Sequence, residues 1–483
     1  MSEMKSLAKD TIIYGVSSIV GKFLNYLLVP LYTYLLADKG DYGIVTNLYA
    51  WTALLLVILT YGMETGFFRF ANKEGYNAKQ VYKTAYITLL CTSFLFALLC
   101  AIFQQPIATA LKYPDHPEFI SLMAATVAFD AFACVPFAYL RYQKRPLLFA
   151  GLKFLFVLLN IGFNILFIVI LGWNEVIYIV ISNFLATGIQ TLCLIPFCLP
   201  KGAKFSWPEL KDMLRYSLPL LVLGIAGIMN QTLDRILFPH ICTGDWEAQL
   251  GEYGACFKVA MVMMIFTQAF RYAYEPFVFA KHKNRQSVEA YSDAMKYYII
   301  VSFLILLGVI VYLDILKYMV AAEYWNGLRI VPFVLWTYLF QGIYFNLSFW
   351  YKLKDETQWG AYFSLIGLVI TLVIQIVGVP RIGYMASCYS SLVCYLVIML
   401  LSYFIGQKKA PIPYDLKCIG RYTLLIIVLL TIYYLLRIYI ISSPWLMMVI
   451  GTALIGIYLF VLTRRDFPLS ALPIVGKYFK KQS

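Results

Sequence analysis

The sequence predicts an all-α, polytopic membrane protein of about fourteen transmembrane helices, and three observations carry that prediction. Of its 483 residues, 61% are hydrophobic and only 13% charged, whereas soluble domains are about a quarter charged. The charges fall in short clusters between apolar runs of roughly 20 residues, the length a helix needs to cross about 30 Å of hydrocarbon. Successive clusters alternate between rich and poor in Lys and Arg, as the two sides of a membrane do. A net charge of +14 would otherwise suggest nucleic acid, but its placement in loops excludes that reading.

The apolar runs lie near 11–36, 42–66, 81–105, 118–140, 147–172, 175–199, 213–240, 252–279, 295–316, 328–351, 358–378, 384–406, 418–440 and 444–463. The first follows a polar stretch, is too long for a signal core and lacks a small-residue cleavage site, so it is expected to remain as a helix. Gly172-Trp173-Asn174 must make a tight turn between the fifth and sixth spans. With the N-terminus inside, the cytoplasmic segments carry Lys73, Lys79 and Lys83, then Arg141, Lys144 and Arg145, then Lys201, Lys204, Lys211 and Arg215. Later ones hold Lys281, Lys283 and Arg285, then Lys352 and Lys354, then Lys408, Lys409, Lys417 and Arg421, with further bases in the tail. The outer loops hold only Lys39, Lys112, Lys317, Arg329 and Arg381, with Arg437 near an outer helix end. One miscounted span would scramble this alternation, so an even number with both termini cytoplasmic is expected. No connection is long enough for a folded catalytic domain outside the membrane.

An internal repeat divides the chain. Asp41-Tyr42-Gly43 recurs as Glu252-Tyr253-Gly254, and at the same offset Tyr61 to Glu64 recurs as Tyr272 to Glu275, and Phe68 as Phe279. After a small insertion, Gly15, Leu24 and Pro30 fall on Gly224, Leu233 and Pro239. The repeat predicts a six-helix lobe over 1–205, a second over 206–410, and two added helices with a cytoplasmic tail over 411–483. Two lobes running in the same direction around a central path suit alternating access.

Ionisable groups inside the bilayer are costly and face a protein interior or a water-filled cavity. The first helix places Thr11, Gly15, Ser18, Lys22 and Asn25 on one face; Lys22 is deep, with no acid one turn away. The seventh carries Gly224, Gly227, Gln231 and Asp234 followed by Arg235, and the two charges read equally as a local pair or as a site. The eighth aligns Lys258, Gln268, Tyr272 and Glu275, with Arg271 one turn before Glu275. Asp130 lies mid-span in the fourth. Glu64 and Glu275 stand near cytoplasmic helix ends, where an ion pair or a gate competes with substrate contact. The uncharged stripes (Asn160 and Asn164; Asn183, Thr187 and Gln190; Thr337, Gln341 and Ser348; Ser364, Thr371 and Gln375) read first as helix-packing groups. An excess of bases over acids at depth favours an anionic cargo.

No cofactor or metal site is expected: the ten cysteines are scattered, no Cys-x-x-Cys occurs, and the three histidines stand far apart. Gly15 to Lys22 imitates a phosphate loop, but it has one residue too many, ends in Phe23 and lies in an apolar helix. An H+ or Na+ gradient or the membrane potential is therefore favoured over ATP as the energy source. The last two helices carry few polar groups beyond Thr431 and Thr452 and are expected to face lipid or line a groove for a lipid tail.

The opening Thr11-Ile-Ile-Tyr-Gly15, Pro30 and Asp41-Tyr-Gly43, with the midpoint Ser217-Leu-Pro219, Asp234-Arg235, Gly251-Glu-Tyr-Gly254 and Pro276-Phe277, resemble Wzx-type polysaccharide and O-antigen flippases. These belong to the multidrug/oligosaccharidyl-lipid/polysaccharide exporter superfamily. The resemblance covers nearly the whole chain with loose motifs. It implies two six-helix lobes in a V plus two C-terminal helices, in a bacterial inner membrane. It also implies transfer of an undecaprenyl-pyrophosphate-linked oligosaccharide between leaflets for surface polysaccharide or lipopolysaccharide synthesis, alongside other assembly proteins. Lys22, Arg235 and Lys258 are then the bases for a cationic substrate cavity, and Asn25, Glu64, Asp130, Asp234, Arg271 and Glu275 its polar or gating groups. The first helix lacks the Arg-Asp arrangement of the related lipid II flippases, which disfavours a peptidoglycan precursor. A multidrug exporter of the same superfamily would favour cavity acids. A membrane polymerase or glycosyltransferase would need a larger outer loop than those holding Asp115 and His116, or Asp245 and Glu247.

Overall fold

The computed structural model describes residues 26–199, 202, 204–281, 286–354, 356–440 and 443–466, with the side chains of 273, 275–277, 279–281 and 286–290 excepted. Among them the chain is helical throughout. Twelve segments are long and apolar enough to span a membrane, thirteen with one bent pair counted as a single span. The first of the fourteen spans predicted from sequence lies largely outside the described residues; its end is α1 (Leu28–Leu35).

Local signals explain where each helix starts. Asp38 opens α2 (Lys39–Thr60) with a reciprocal cap: its carboxylate accepts from the Gly40 amide at 3.0 Å, and Asp41 accepts from the Asp38 amide at 3.1 Å. The span runs on to Ala71, but Tyr61 (φ 32°) and Gly62 (φ 70°) break it before α3 (Met63–Ala71). Asn77 caps α4 (Ala78–Ile102). Then come α5 (Glu118–Tyr142), α6 (Pro146–Asn164, continued by a π turn over Ile165–Ile170) and α7 (Val176–Cys198). The expected turn before α7 is made by Gly172 at φ +70°, a left-handed conformation that glycine adopts without steric cost. Ser206 caps α8 (Trp207–Ile236) and Asp245 caps α9 (Trp246–Val259). The chain continues through α10 (Met261–Lys281), α11 (Gln286–Val311), the 3-10 turns Ala322–Ile330, α12 (Val331–Leu347), α13 (Gln358–Ile382) and α14 (Tyr384–Lys409). It ends in α15 (Leu416–Tyr439) and α16 (Pro444–Arg465).

Helices α4, α5, α6 and α7 pack in sequence on one another, while in the second group α12 packs on both α11 and α14, and α13 packs on α14. Between these groups, α2 lies against both α8 and α9, and α8 also reaches α13. The last two helices pack on each other and on α11, where the Tyr458 hydroxyl donates to the Ile300 carbonyl at 2.8 Å. Their other faces present Leu424, Ile438, Val449 and Phe460 outward, apolar surface that suits contact with lipid.

Candidate functional site

The repeated Asp41-Tyr42-Gly43 and Glu252-Tyr253-Gly254 segments meet where α2 crosses α9. The repeat extends one residue further than the sequence reading takes it, Gly40 matching Gly251. A Cβ on Gly43 would lie 2.0 Å from the Glu247 carbonyl oxygen, one on Gly251 2.5 Å from that of Lys39, and one on Gly254 2.3 Å from Thr46 Oγ1. Only glycine lets the two backbones approach this closely, as in close helix crossings within membranes generally. Lys39 and Glu252 form an ion pair across the crossing, and Tyr324 donates to the Lys39 carbonyl at 3.2 Å.

Beside this crossing, α1, α2, α6, α7, α8, α9, α10 and α12 enclose a cavity of about 370 Å³. Aromatic side chains line much of it, among them Tyr32, Tyr42, Tyr49, Phe156, Phe257 and Tyr338. Asn160, Asn183 and Thr232 supply neutral polar groups. Among the described lining residues the charged ones are Arg235 and Lys258, both bases. Each sits in the last turn of its helix, α8 and α9 respectively. The negative end of a helix dipole offsets part of the cost of a buried cation, about 0.3–2 kcal/mol.

Arg235 is held by its backbone, by its ring contacts and by one long ion pair. Its carbonyl accepts from Asn47 Nδ2 at 2.7 Å, and Asn47 Oδ1 accepts from the Tyr113 hydroxyl at 2.7 Å. Its guanidinium lies 4.4 Å from the centre of the Phe257 ring and 5.8 Å from that of Tyr253, contacts worth about 0.5–2 kcal/mol each. The ion-pair partner is Asp234, its neighbour in sequence, whose carboxylate is shared. Its buried Oδ2 accepts from the Tyr253 hydroxyl at 2.6 Å and stays 3.9 Å from Arg235 Nε, which donates to nothing among the described residues. Lys258 has no hydrogen-bonding or ion-pair partner among the described residues and lies within electrostatic reach of Arg235. Two like charges with one partly distant acid leave the described lining positive, so an anion there would relieve a repulsion that the apolar surroundings amplify.

The remaining candidates part company. Lys22 and Asn25 lie outside the described residues, and the side chain of Glu275 is likewise undescribed. Glu64 is ion-paired with Arg141 and accepts from Cys134 Sγ at 3.2 Å. Asp130 lies within electrostatic reach of Lys153, a base that the sequence reading does not single out although it interrupts an apolar run. Neither acid lines the cavity. Arg271 stacks 4.3 Å from the Phe345 ring centre, also away from it. The expected single face from Lys258 to Gln268 and Tyr272 is interrupted: α9 and α10 meet at a 51° bend beside Ala260, and the Ala260 amide turns back on the Lys258 carbonyl. No Pro or Gly marks this bend, so the helical period reads straight through it. The polar stripes divide as well. Asn160 and Asn183 reach the cavity, whereas Gln190 donates to the Leu152 carbonyl at 2.9 Å and Gln375 to Ser390 at 3.2 Å, as packing groups.

Residues 35–330 match the family model described as polysaccharide biosynthesis protein. Lsg locus putative protein 1 of Haemophilus influenzae is 23% identical over 289 residues, which cover 58% of this chain and 68% of that protein. An uncharacterized membrane protein of the same species is 24% identical over 291 residues, covering 58% and 67%. The structure of the lipid II flippase MurJ in an inward closed conformation superposes with a TM-score of 0.75 at 12% identity, covering 94% of this chain and 99% of that one. An inward-facing multidrug resistance MATE transporter of the MOP superfamily gives 0.66 at 12% identity, covering 83% and 95%. The MATE multidrug transporter DinF-BH gives 0.60 at 15%, covering 84% and 96%. The chain is a multi-pass membrane protein with the fold of these transporters, and it belongs to the polysaccharide biosynthesis protein family.

Proposed function

We propose that the protein is a flippase that moves an undecaprenyl-pyrophosphate-linked oligosaccharide repeat unit from the cytoplasmic to the outer leaflet of a bacterial inner membrane. The observation that carries this reading is the positive cavity: Arg235 and Lys258 are the charged groups among its described lining residues. A pyrophosphate is the part of such a cargo that would pair with them, and the aromatic walls suit the faces of sugar rings. A cation-selective multidrug exporter would place acids there instead. Membership of the polysaccharide biosynthesis family agrees with the cargo class.

In this reading residues 1–205 and 206–410 are the two lobes that rock about the cavity, and 411–483 supply two lipid-facing helices and a tail. Both termini lie in the cytoplasm, which puts the α2–α9 crossing at the outer end. The protein makes and breaks no bond. Glu64 and Glu275 act as cytoplasmic gates, Lys22 and Asn25, which lie outside the described residues, stay candidates for the cargo on sequence alone, and an H+ or Na+ gradient or the membrane potential drives the cycle. Deleting the gene tests the proposal: lipid-linked repeat units should accumulate on the cytoplasmic leaflet while their synthesis continues. Normal surface polysaccharide in the deletion strain would overturn it.

A further inference from the structure

Three bases from the loops poor in Lys and Arg, two from one connection and one from more than a hundred residues on, gather around a second cavity. Lys317, Arg329 and Arg437 line a space of about 620 Å³ bounded by the turn after α11, the start of α12 and the end of α15. Asp314 is the one acid in its lining. Its Oδ1 accepts from Lys317 Nζ at 3.4 Å and from Arg437 Nη2 at 3.0 Å, so one carboxylate is shared by two cations. Arg437 also donates to the Tyr433 hydroxyl at 3.3 Å. Arg329 Nε donates to the Tyr384 hydroxyl at 3.1 Å, and its terminal nitrogens have no acceptor among the described residues. The lining therefore stays positive after every internal pair is counted.

The rest of the wall is amphiphilic. Trp325 donates to the Lys317 carbonyl at 3.1 Å and lies 4.7 Å beneath its ammonium, fixing that base at the rim. Ile310, Leu313, Leu328 and Phe333 form the apolar side, and the adjoining face of α15 leaves Leu435 and Ile438 exposed. Bases beside Trp and Tyr at a helix end, above an apolar helix face, match a ligand with an anionic head and a hydrocarbon tail. The cavity lies at the same end of the bundle as the α2–α9 crossing, because the turns that carry Trp325 and Arg329 also carry Tyr324, which bonds to Lys39.

We propose that this cavity holds the phosphate headgroup of a resident anionic phospholipid, whose acyl chains lie along α15. The site is separate from the positive cavity between α8 and α9 and does not rest on what that cavity carries. Native mass spectrometry of the full chain in detergent tests it, with dioleoylphosphatidylglycerol, dioleoylphosphatidylcholine, inorganic phosphate and farnesyl phosphate as probes. Phosphatidylglycerol should be retained in preference to phosphatidylcholine. The Lys317→Gln/Arg437→Gln pair should weaken it by about fivefold per base removed, and Asp314→Asn, which removes the competing carboxylate, should tighten it. If the double variant does not fold, Arg329→Gln serves, since that base has no ion-pair partner among the described residues. Equal retention of the two phospholipids, or unchanged retention in the base variants, overturns the proposal. So does displacement of phosphatidylglycerol by inorganic phosphate, which would make this a free-anion site. Displacement by farnesyl phosphate at equal concentration would assign the site to a prenyl-linked ligand and overturn the choice of a resident phospholipid.

Discussion

The Tyr253 hydroxyl donates to Asp234 at 2.6 Å, so the carboxylate that pairs with Arg235 at 3.9 Å is shared and its pairing stays long. The sequence places Asp234 and Arg235 side by side, which reads equally as a local pair or as a site. The fold places Tyr253 of the repeated Glu-Tyr-Gly segment against the carboxylate, and the Arg235 guanidinium faces Phe257 and the cavity instead. Tyr253→Phe should therefore do two things. A buried acceptor loses its donor, which costs about 1–3 kcal/mol, and the carboxylate becomes free to close on Arg235 from its present 3.9 Å and neutralise it more fully. Thermal stability and surface polysaccharide in a complemented deletion strain should both fall, while Asp234→Asn, which keeps the cavity positive, should export better than Tyr253→Phe at matched protein level. Equal export by the two variants would show that this bond does not govern the cavity charge.

Lys258 offers a cleaner test, because nothing among the described residues pairs with it. Replacing a side chain that makes no hydrogen bond or ion pair among the described residues and repels Arg235 should leave thermal stability unchanged or raised. Export should nevertheless fall, by about tenfold or more if one charge-assisted bond worth about 1.5–3 kcal/mol to the cargo is lost. Lys258→Arg should recover part of it. A Lys258→Ala variant with normal export and normal expression would remove the cationic cavity from the mechanism.

Much of this architecture is legible in the sequence because lipid imposes a simple rule. Apolar runs near 20 residues mark the spans from 42 onward, and the bases Arg235 and Lys258, about 23 residues apart in separate runs, do converge on one cavity. What resists reading is anything set by contact between runs. The 51° bend beside Ala260 carries no Pro or Gly to announce it, yet it ends α9 at Val259 and so puts Lys258 in a last helical turn. The aromatic lining by Tyr32, Tyr42, Tyr49 and Tyr338 cannot be told from ordinary core by periodicity, since burial and cavity-facing positions share one pattern. Lys153 escapes notice for a different reason: a base near a helix start reads as one that reaches water, whereas here it answers Asp130.

The glycine crossing predicts how the closed end opens. A Cβ on Gly43 would stand 2.0 Å from the Glu247 carbonyl, a backbone atom that cannot step aside, so Gly43→Ala must push α2 and α9 apart. Cys256, one turn beyond Gly251 and buried with its thiol 3.2 Å from the Tyr324 carbonyl, should become more reactive toward a membrane-impermeant maleimide. Gly227→Ala is the control, because no atom lies within 4 Å of the Cβ it would add. Labelling of Cys256 that is the same in both variants, read by mass spectrometry of the modified peptide, would mean that the crossing does not seal this end.

Asn47 ties that crossing to the cavity. It is fully buried on α2 and joins the turn before α5 to the end of α8, accepting from the Tyr113 hydroxyl and donating to the Arg235 carbonyl, both at 2.7 Å. The second bond takes up a backbone acceptor in the last turn of α8, where no intrahelical donor remains. Asn47→Ala breaks both bonds and leaves the Tyr113 hydroxyl and the Arg235 carbonyl unpaired in an apolar setting, at about 1–3 kcal/mol each. Tyr113→Phe breaks only one and leaves the Arg235 anchor intact. Thermal stability should therefore fall more for Asn47→Ala than for Tyr113→Phe, and export at matched protein level should fall only for the former, because only it loosens the turn that aims Arg235. If both variants export equally, the guanidinium is positioned by Phe257 and the helix alone, and Asn47 is a packing group.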